Sequence, residues 1–308
     1  MARIGLCFVS PAPLTKFDAA LEMAKACEPL GLDSFWSIDR IAYDNLEPLT
    51  LLAAAAAVTE KIRLGTSVLL AATRHPVHLA KIVATLDFLS RGRITLGIGF
   101  GSRENDFRSV EIPFTDRGSR AVEQVRLIKR LWTEENVTHH GRFYRVENLT
   151  IGPKPLQKPH PPIWTGGSSE TALKRAGTWA DGYICGSSAI ADFPAVWEKV
   201  AAYARAAGRD PESIERAALT FIAIDDRKDR AIARLEAYLT RYYGRVRGEV
   251  DKTYPAGAPR ECAAGLAAAF AKGLQTLIVG LADPDPRQVD LFGERVLPEL
   301  KSLLSGRS

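Results

Sequence analysis

The amino-acid sequence predicts an α/β fold, a (β/α)8 (TIM) barrel with insertions after the fourth helix and near residue 250. Three observations predict it. Short β-like runs alternate with longer helical patterns along the whole chain, which means parallel strands joined by right-handed crossovers. The alternation repeats eight times, which favours closure into one barrel over two open sheets. The chain has 308 residues, 46% hydrophobic and 25% charged, a globular composition long enough for one such domain. A single domain over residues 1–308 is therefore expected, with an excursion at 136–161 and a flexible segment at 248–258.

"RIGLCFV" reads as the first strand, and residues 16–31 as a helix that stops at a glycine. "DSFWSI" is the second strand and "LEPLTLLAAAAAVTE" the second helix. "IRLGTSVLL" and "RITLGIGF" are the third and fourth strands. Between them "HPVHLAKIVATLDFLSRG" carries Pro76 near its first turn and Gly92 past its last, the usual helix asymmetry. In "DRGSRAVEQVRLIKRLWTEE", Val122, Val125, Leu127, Leu131 and Trp132 fall largely on one helical face. The polar, Pro-rich stretch 136–161 is too long for a simple connection and is expected to lie over one end of the fold; it and the segment 248–258 are expected to line or cover the pocket. The fifth and sixth strands are "PIWT" and "DGYICG", followed by helices beginning at Glu170 and Phe193. "RAALTFIAI" precedes a helical stretch from 228 to about 247 and a further helix, "RECAAGLAAAFAKG". "LQTLIVGL" and "PRQVDLFGERVLPELKSLL" close the pattern.

The formal net charge of +5 is mild and its Lys and Arg residues are spread out, which suits an anionic small molecule better than nucleic acid. Cys7, Cys27, Cys185 and Cys262 form no close pair, which argues against zinc and against a disulfide framework. Reduced thiols in a cytoplasmic protein are the simplest account. The start, "MARIGLCFVSPAP", is too short an apolar run for a signal peptide, and charges flank "LTLLAAAAAV" too closely for a membrane span.

A barrel of this kind carries its chemistry in the loops after the strands. Asp39 and Arg40 end the second strand and are the candidate catalytic pair. Arg40 stays protonated, so it can hold an anion or steady developing negative charge but not act as a base. His75, before Pro76, reads as a helix cap. "GIGFGSRENDF" fails the dinucleotide spacing because Ser102 stands at the third glycine position. Its glycines are expected to give room for a flat ring across the barrel mouth, beside Ser102, Arg103, Glu104 and Asn105. In "PPIWTGGSSETALKRAG" a strand hands over to a helix through two glycines and two serines. Free N–H groups and the helix dipole make such a junction a phosphate cradle; an ordinary turn capped by Ser168 or Ser169 is the plainer alternative. No serine elbow, HExxH, P-loop lysine or Schiff-base lysine is evident, so the chemistry belongs to a cofactor.

Taken together and in order, "LGLDSFWSIDR", "KIRLGTSVLLAATRHPVHLAKIVATLDFLSRGRITLGIGFG", "GRFYRVENLTIGPKPLQKPHPPIWTGG" and "LKRAGTWADGYI" resemble the luciferase-like monooxygenase superfamily over nearly the full chain. The resemblance is greatest to the bacterial branch that uses the 5-deazaflavin coenzyme F420. It implies that Asp39 and Arg40 sit against the deazaflavin and that a non-prolyl cis peptide at Ser67-Val68 buttresses the ring. It implies further that Asn105 touches the cofactor and that Gly166, Gly167 and Ser168 cradle its phosphate. Trp36, Tyr43, Phe100 and Ser102 are then expected in the substrate pocket, and a homodimer is implied. Many deazaflavin relatives have histidine where Arg40 stands, so a histidine-type proton transfer is not expected there. The sugar-phosphate-oxidising relatives have glutamate where Ser102 stands, which argues against that activity.

The leading expectation is hydride transfer between F420 and a small organic substrate. An FMN-dependent monooxygenase with a separate flavin reductase is the alternative, and a non-catalytic flavin-binding relative a second. Arg40, Arg74 and Arg103 are the basic residues expected to meet the acidic tail of F420. A barrel isomerase or aldolase shares the cradle but needs a strand-end base that the sequence does not offer.

Overall fold

The computed structural model describes residues 2–10, 18–244, 246, 249–283 and 287–306. Parts of three expected helices, at 16–17, 245, 247 and 286, therefore lie outside the described residues, as does 248 of the expected flexible segment. Eight parallel strands form the framework: β1 (Arg3–Phe8), β2 (Ser34–Ser37), β3 (Arg63–Thr66), β4 (Ile94–Gly99), β5 (Ile163–Gly166), β6 (Gly182–Gly186), β7 (Glu215–Ile224) and β8 (Thr276–Leu281). Each pairs with the next in chain order, and β8 pairs with β1, so the sheet closes. All eight fall where the sequence places them.

The two-residue period of strands sends alternate side chains to opposite faces of this closed sheet. Leu6 and Phe8 of β1, Phe35 of β2 and Leu96 and Ile98 of β4 point outward into one buried layer under the helices. Cys7, Trp36, Trp164, Ala217, Phe221 and Ile278 form a second cluster that fills the barrel. The helices supply the outer layer: α1 (Ala19–Cys27), α2 (Pro48–Val58), α3 (Pro76–Leu89), α4 (Arg117–Thr133), α5 (Glu170–Trp179), α6 (Phe193–Ala206), α7 (Lys228–Tyr243) and α8 (Pro259–Phe270). The last helix runs Gln288–Leu291 and Leu297–Ser305 through a π turn at Phe292–Val296. His75 is the N-cap of α3, its Nδ1 accepting the Val77 N–H at 3.3 Å. The four cysteines are buried and unpaired. No helix of the described residues is long and apolar enough to cross a membrane.

The excursion at 136–161 corrects one expectation. It contains an antiparallel hairpin, Val137–His140 with Arg145–Leu149, which packs on α4 through Glu123. Beyond it, Lys154 reaches the Leu131 carbonyl at the end of α4, and Gln157 donates to Asp87 and to the Ile94 carbonyl at the start of β4. The reason is directional: α4 returns the chain to the N-terminal ends of the strands, so the excursion lies away from the mouth and does not cover the pocket. The described part of the other segment, 249–258, is on the other side. Val250–Thr253 is helical, and Ala256–Gly257 pairs with Ala223 and Ile224 at the C-terminal end of β7.

Candidate active site

The C-terminal strand ends open onto a cleft of about 690 Å³, lined from the exits of β2 through β7. Its geometry is set by two ion pairs, Arg40–Asp106, which is buried, and Arg74–Asp39, which is partly buried. At the β2 exit, the Asp39 carboxylate accepts the Leu70 N–H at 2.9 Å and is bridged by Arg74 at 2.6 Å. Arg74 in turn reaches Glu47 at 2.8 Å. Arg40 donates through Nε to Asp106 at 2.9 Å and through Nη1 to the Tyr242 carbonyl at 3.1 Å. The other Asp106 oxygen accepts the N–H groups of Ile41 and Ala42 at 3.0 and 2.9 Å. One carboxylate thus fixes both the Arg40 side chain and the backbone that carries it, a charge-assisted arrangement well suited to a buried cation. The Arg40 guanidinium also packs on the rings of Tyr43 and Tyr242.

At the β3 exit, the Ser67–Val68 peptide is cis, and both residues line the cleft. The Ser67 hydroxyl is buried and has no partner among the described residues. The glycines at the end of β4 have a packing role as well, and Gly99 and Gly101 line the cleft. A Cβ on Gly97 would run into the Thr66 carbonyl, and one on Gly99 into the Val68 side chain. Gly97 and Gly99 admit the 66–68 segment of the neighbouring strand exit, whose Ser67 and Val68 line the cleft beside Gly99.

At the β5 exit, Gly166, Gly167, Ser168 and Ser169 line the cleft in front of α5. Gly167 has φ +122°, a backbone conformation that side chains disfavour, and a Cβ there would lie 2.9 Å from Ala172. Ser169 is the N-cap, accepting the Ala172 N–H at 3.2 Å, which leaves exposed Ser168 beside the cleft. The Tyr183 hydroxyl, from β6, donates to the Gly167 carbonyl at 2.9 Å and pins the turn. The junction therefore has both properties weighed from the sequence: an ordinary cap at Ser169 and an open, dipole-favoured turn before it.

Three further arginines line the same cleft. Arg103 donates to the Tyr242 carbonyl at 2.9 Å and packs on Tyr242 and Tyr243. Arg117, first residue of α4, donates to the carbonyls of Gly101 and Phe114 and stacks on the Phe114 ring. Arg175, on α5, lies over the Phe100 ring, with its centroid 3.9 Å away. Burial, and after it the Arg117 charge, push the Arg175 guanidinium below its ordinary value. Burial pushes the Cys185 thiol up to about 12 and raises Tyr242 and Tyr243, so none of these cleft groups is a base at neutral pH.

Asp39, Arg40, Ser67, Val68, Phe100, Ser102, Gly166, Gly167 and Ser168 are thus gathered around one cleft. Trp36 is fully buried beneath it, packed at a tilt against Trp164 with its indole N–H on Ser34, inside the barrel rather than in a pocket wall. Asn105 is exposed on the short helix Glu104–Arg108, while its neighbour Asp106 turns inward to Arg40. Tyr43 backs Tyr242 from behind. Arg40 and Arg74, expected to meet an acidic tail, are instead neutralised by Asp106 and by Asp39 with Glu47. Asp106, Arg117, Arg175, Tyr183 and Tyr242 are what sequence reasoning missed. They come from separate elements and carry no local pattern.

Comparisons with known proteins agree with this picture. The sequence matches the luciferase-like monooxygenase family over residues 7–280. It is 28% identical over 292 residues to an FMNH(2)-dependent dimethylsulfone monooxygenase of Pseudomonas putida, covering 83% of this chain and 79% of that protein. It is 37% identical over 209 residues to an F420-dependent glucose-6-phosphate dehydrogenase of Kineococcus radiotolerans, covering 63% of this chain and 61%, under two thirds, of that protein. The crystal structure of monooxygenase RslO1 from Streptomyces bottropensis superposes with a TM-score of 0.84 at 25% identity, over 96% of this chain and 99% of that one.

Proposed function

Because the chain belongs to the luciferase-like monooxygenase family, whose relatives include F420- and FMN-dependent oxidoreductases, we propose that it is an F420-dependent oxidoreductase acting on a small organic substrate. The observation that carries the reading is the charge of the cleft. Its two carboxylates, Asp39 and Asp106, are each committed to an arginine, which leaves Arg103, Arg117 and Arg175 without a carboxylate partner among the described residues. A cofactor with a phosphate and further acidic groups suits that surplus better than one with a phosphate alone.

The residues present fit such a group. The Gly166–Ser169 turn and the N-terminus of α5 would hold the phosphate. The Ser67 hydroxyl, otherwise unpartnered, and the Val68 side chain would meet the ring. When bound, the deazaflavin would supply hydride transfer at its C5. Arg40 lines the cleft with Nη2 taking no acceptor among the described residues, so it can stabilise negative charge developing beside it. Asp39 acts at one remove. It ties the β2 exit to Leu70 and so positions the strand exit that carries Ser67 and Val68.

A second reading, an FMN-dependent monooxygenase served by a separate reductase, rests on the breadth of the Pseudomonas putida match. The proposed partners are a small-molecule substrate and a second copy of the chain. Exposed Ile82, Phe88 and Leu89 on α3 support the latter. The test of activity is anaerobic incubation with reduced F420 and a panel of carbonyl and activated-alkene acceptors, following return of the oxidised chromophore. Turnover supports the reading. Turnover only with reduced FMN and oxygen would replace it with the second.

A further inference from the structure

Neither Arg117 nor Arg175 belongs to the ion pairs that frame the site or to the turn that would hold the phosphate. Arg175 projects from α5, yet its guanidinium lies on the β4 side of the cleft, against Phe100 and Gly118. A Cβ on Gly118 would sit 3.0 Å from Arg175 Nη2, so the glycine makes room for the group. No carboxylate or carbonyl among the described residues accepts a hydrogen bond from Arg175; its recorded partner is an aromatic face. Arg117 satisfies two of its donors on carbonyls and has no carboxylate partner among the described residues either. Two guanidinium groups in one cleft wall repel, and both lose hydration there, unless an anion joins them. The planar forked donors of arginine match a carboxylate.

The phosphate already has its own site. The cradle lies at the β5 exit, with the α5 N-terminus, Ser168 and backbone donors around it. Accepting the F420 reading above, we propose that Arg117 and Arg175 hold a second anionic group of the coenzyme, a carboxylate of its acidic tail, separately from the phosphate. The pair then selects the tailed deazaflavin over FMN, which ends at its phosphate.

Fluorescence titration tests this with three probes: F420 with its glutamate tail, the same deazaflavin phosphate without the glutamates, and FMN. Wild type is expected to bind tailed F420 about tenfold or more tightly than the tailless form, as for a charge-assisted contact. Arg175→Gln should abolish that difference while leaving tailless and FMN affinities within about twofold, and Arg175→Lys should restore part of it. Gly118→Ala should act in the same direction by displacing the guanidinium. Tail-independent binding of F420 by wild type overturns this inference alone, as does a uniform loss across all three probes in Arg175→Gln. Failure of every probe to bind overturns the cofactor reading beneath it as well.

Discussion

Removing Asp106 tests the framework of the site. Its side chain is 2% exposed and that of Arg40 is 7% exposed, so the pair is desolvated. Asp106→Ala strands the Arg40 cation and leaves the Ile41 and Ala42 N–H groups without their acceptor. Breaking a buried pair from one side costs about 3–5 kcal/mol, most of it the uncompensated charge. The remaining Tyr242 carbonyl and the two tyrosine faces hold Arg40 only partly, which places the loss nearer 3 than 5 on that scale. Replacing both partners, Arg40→Met with Asp106→Leu, removes the stranded charge. The double variant should then recover about 2 kcal/mol relative to the sum of the single changes. Urea unfolding of the four proteins reads this as shifts in midpoint at constant slope. A single Asp106→Ala variant within about 0.5 kcal/mol of wild type, or strict additivity in the cycle, would refute the reasoning.

Tyr183→Phe should release the Gly167 carbonyl and weaken FMN binding by about 3–10-fold, the worth of one hydrogen bond, with riboflavin binding unchanged because it lacks a phosphate. Gly167→Ala should cost about 1–3 kcal/mol in urea unfolding and abolish the preference for FMN over riboflavin, since its positive φ and Ala172 both oppose a side chain. Burial raises the Glu123 carboxyl, but His139 and the Phe143 and Tyr144 N–H groups outweigh it and leave the group below its ordinary value. A depressed carboxylate contributes stability above its unfolded value of about 4.3 that is lost as pH falls through the folded value. Thermal midpoints measured from pH 7 to 3 should therefore fall on the acid side in wild type and fall less in Glu123→Gln.

The barrel was legible because the two periodicities that define it are local. Each strand is a short run of 4–10 residues in the structure, and each is followed by a helical pattern. The strand-to-helix turn at Gly166–Ser169 was legible for the same reason, since a strand end, two glycines, two serines and a helix start are contiguous. The hairpin Val137–His140 with Arg145–Leu149 escaped notice because its strands are largely exposed and polar, with no alternating core face to reveal them. The arginines behaved likewise. Sequence position suggested Arg40 and Arg74 as free cations, and only the fold brings Asp106, Asp39 and Glu47 onto them. Two of the three unneutralised arginines, Arg117 at the start of α4 and Arg175 in the middle of α5, stand 58 positions apart by their numbers. No window of sequence contains both.

Dissociation constants of F420 and FMN, measured by fluorescence on one preparation at one ionic strength, test the central claim most directly. F420 is expected to bind at least about tenfold more tightly, with an advantage that shrinks as salt is raised, because charge supplies the difference. Equal binding of the two, or tighter binding of FMN at every salt concentration, would contradict it.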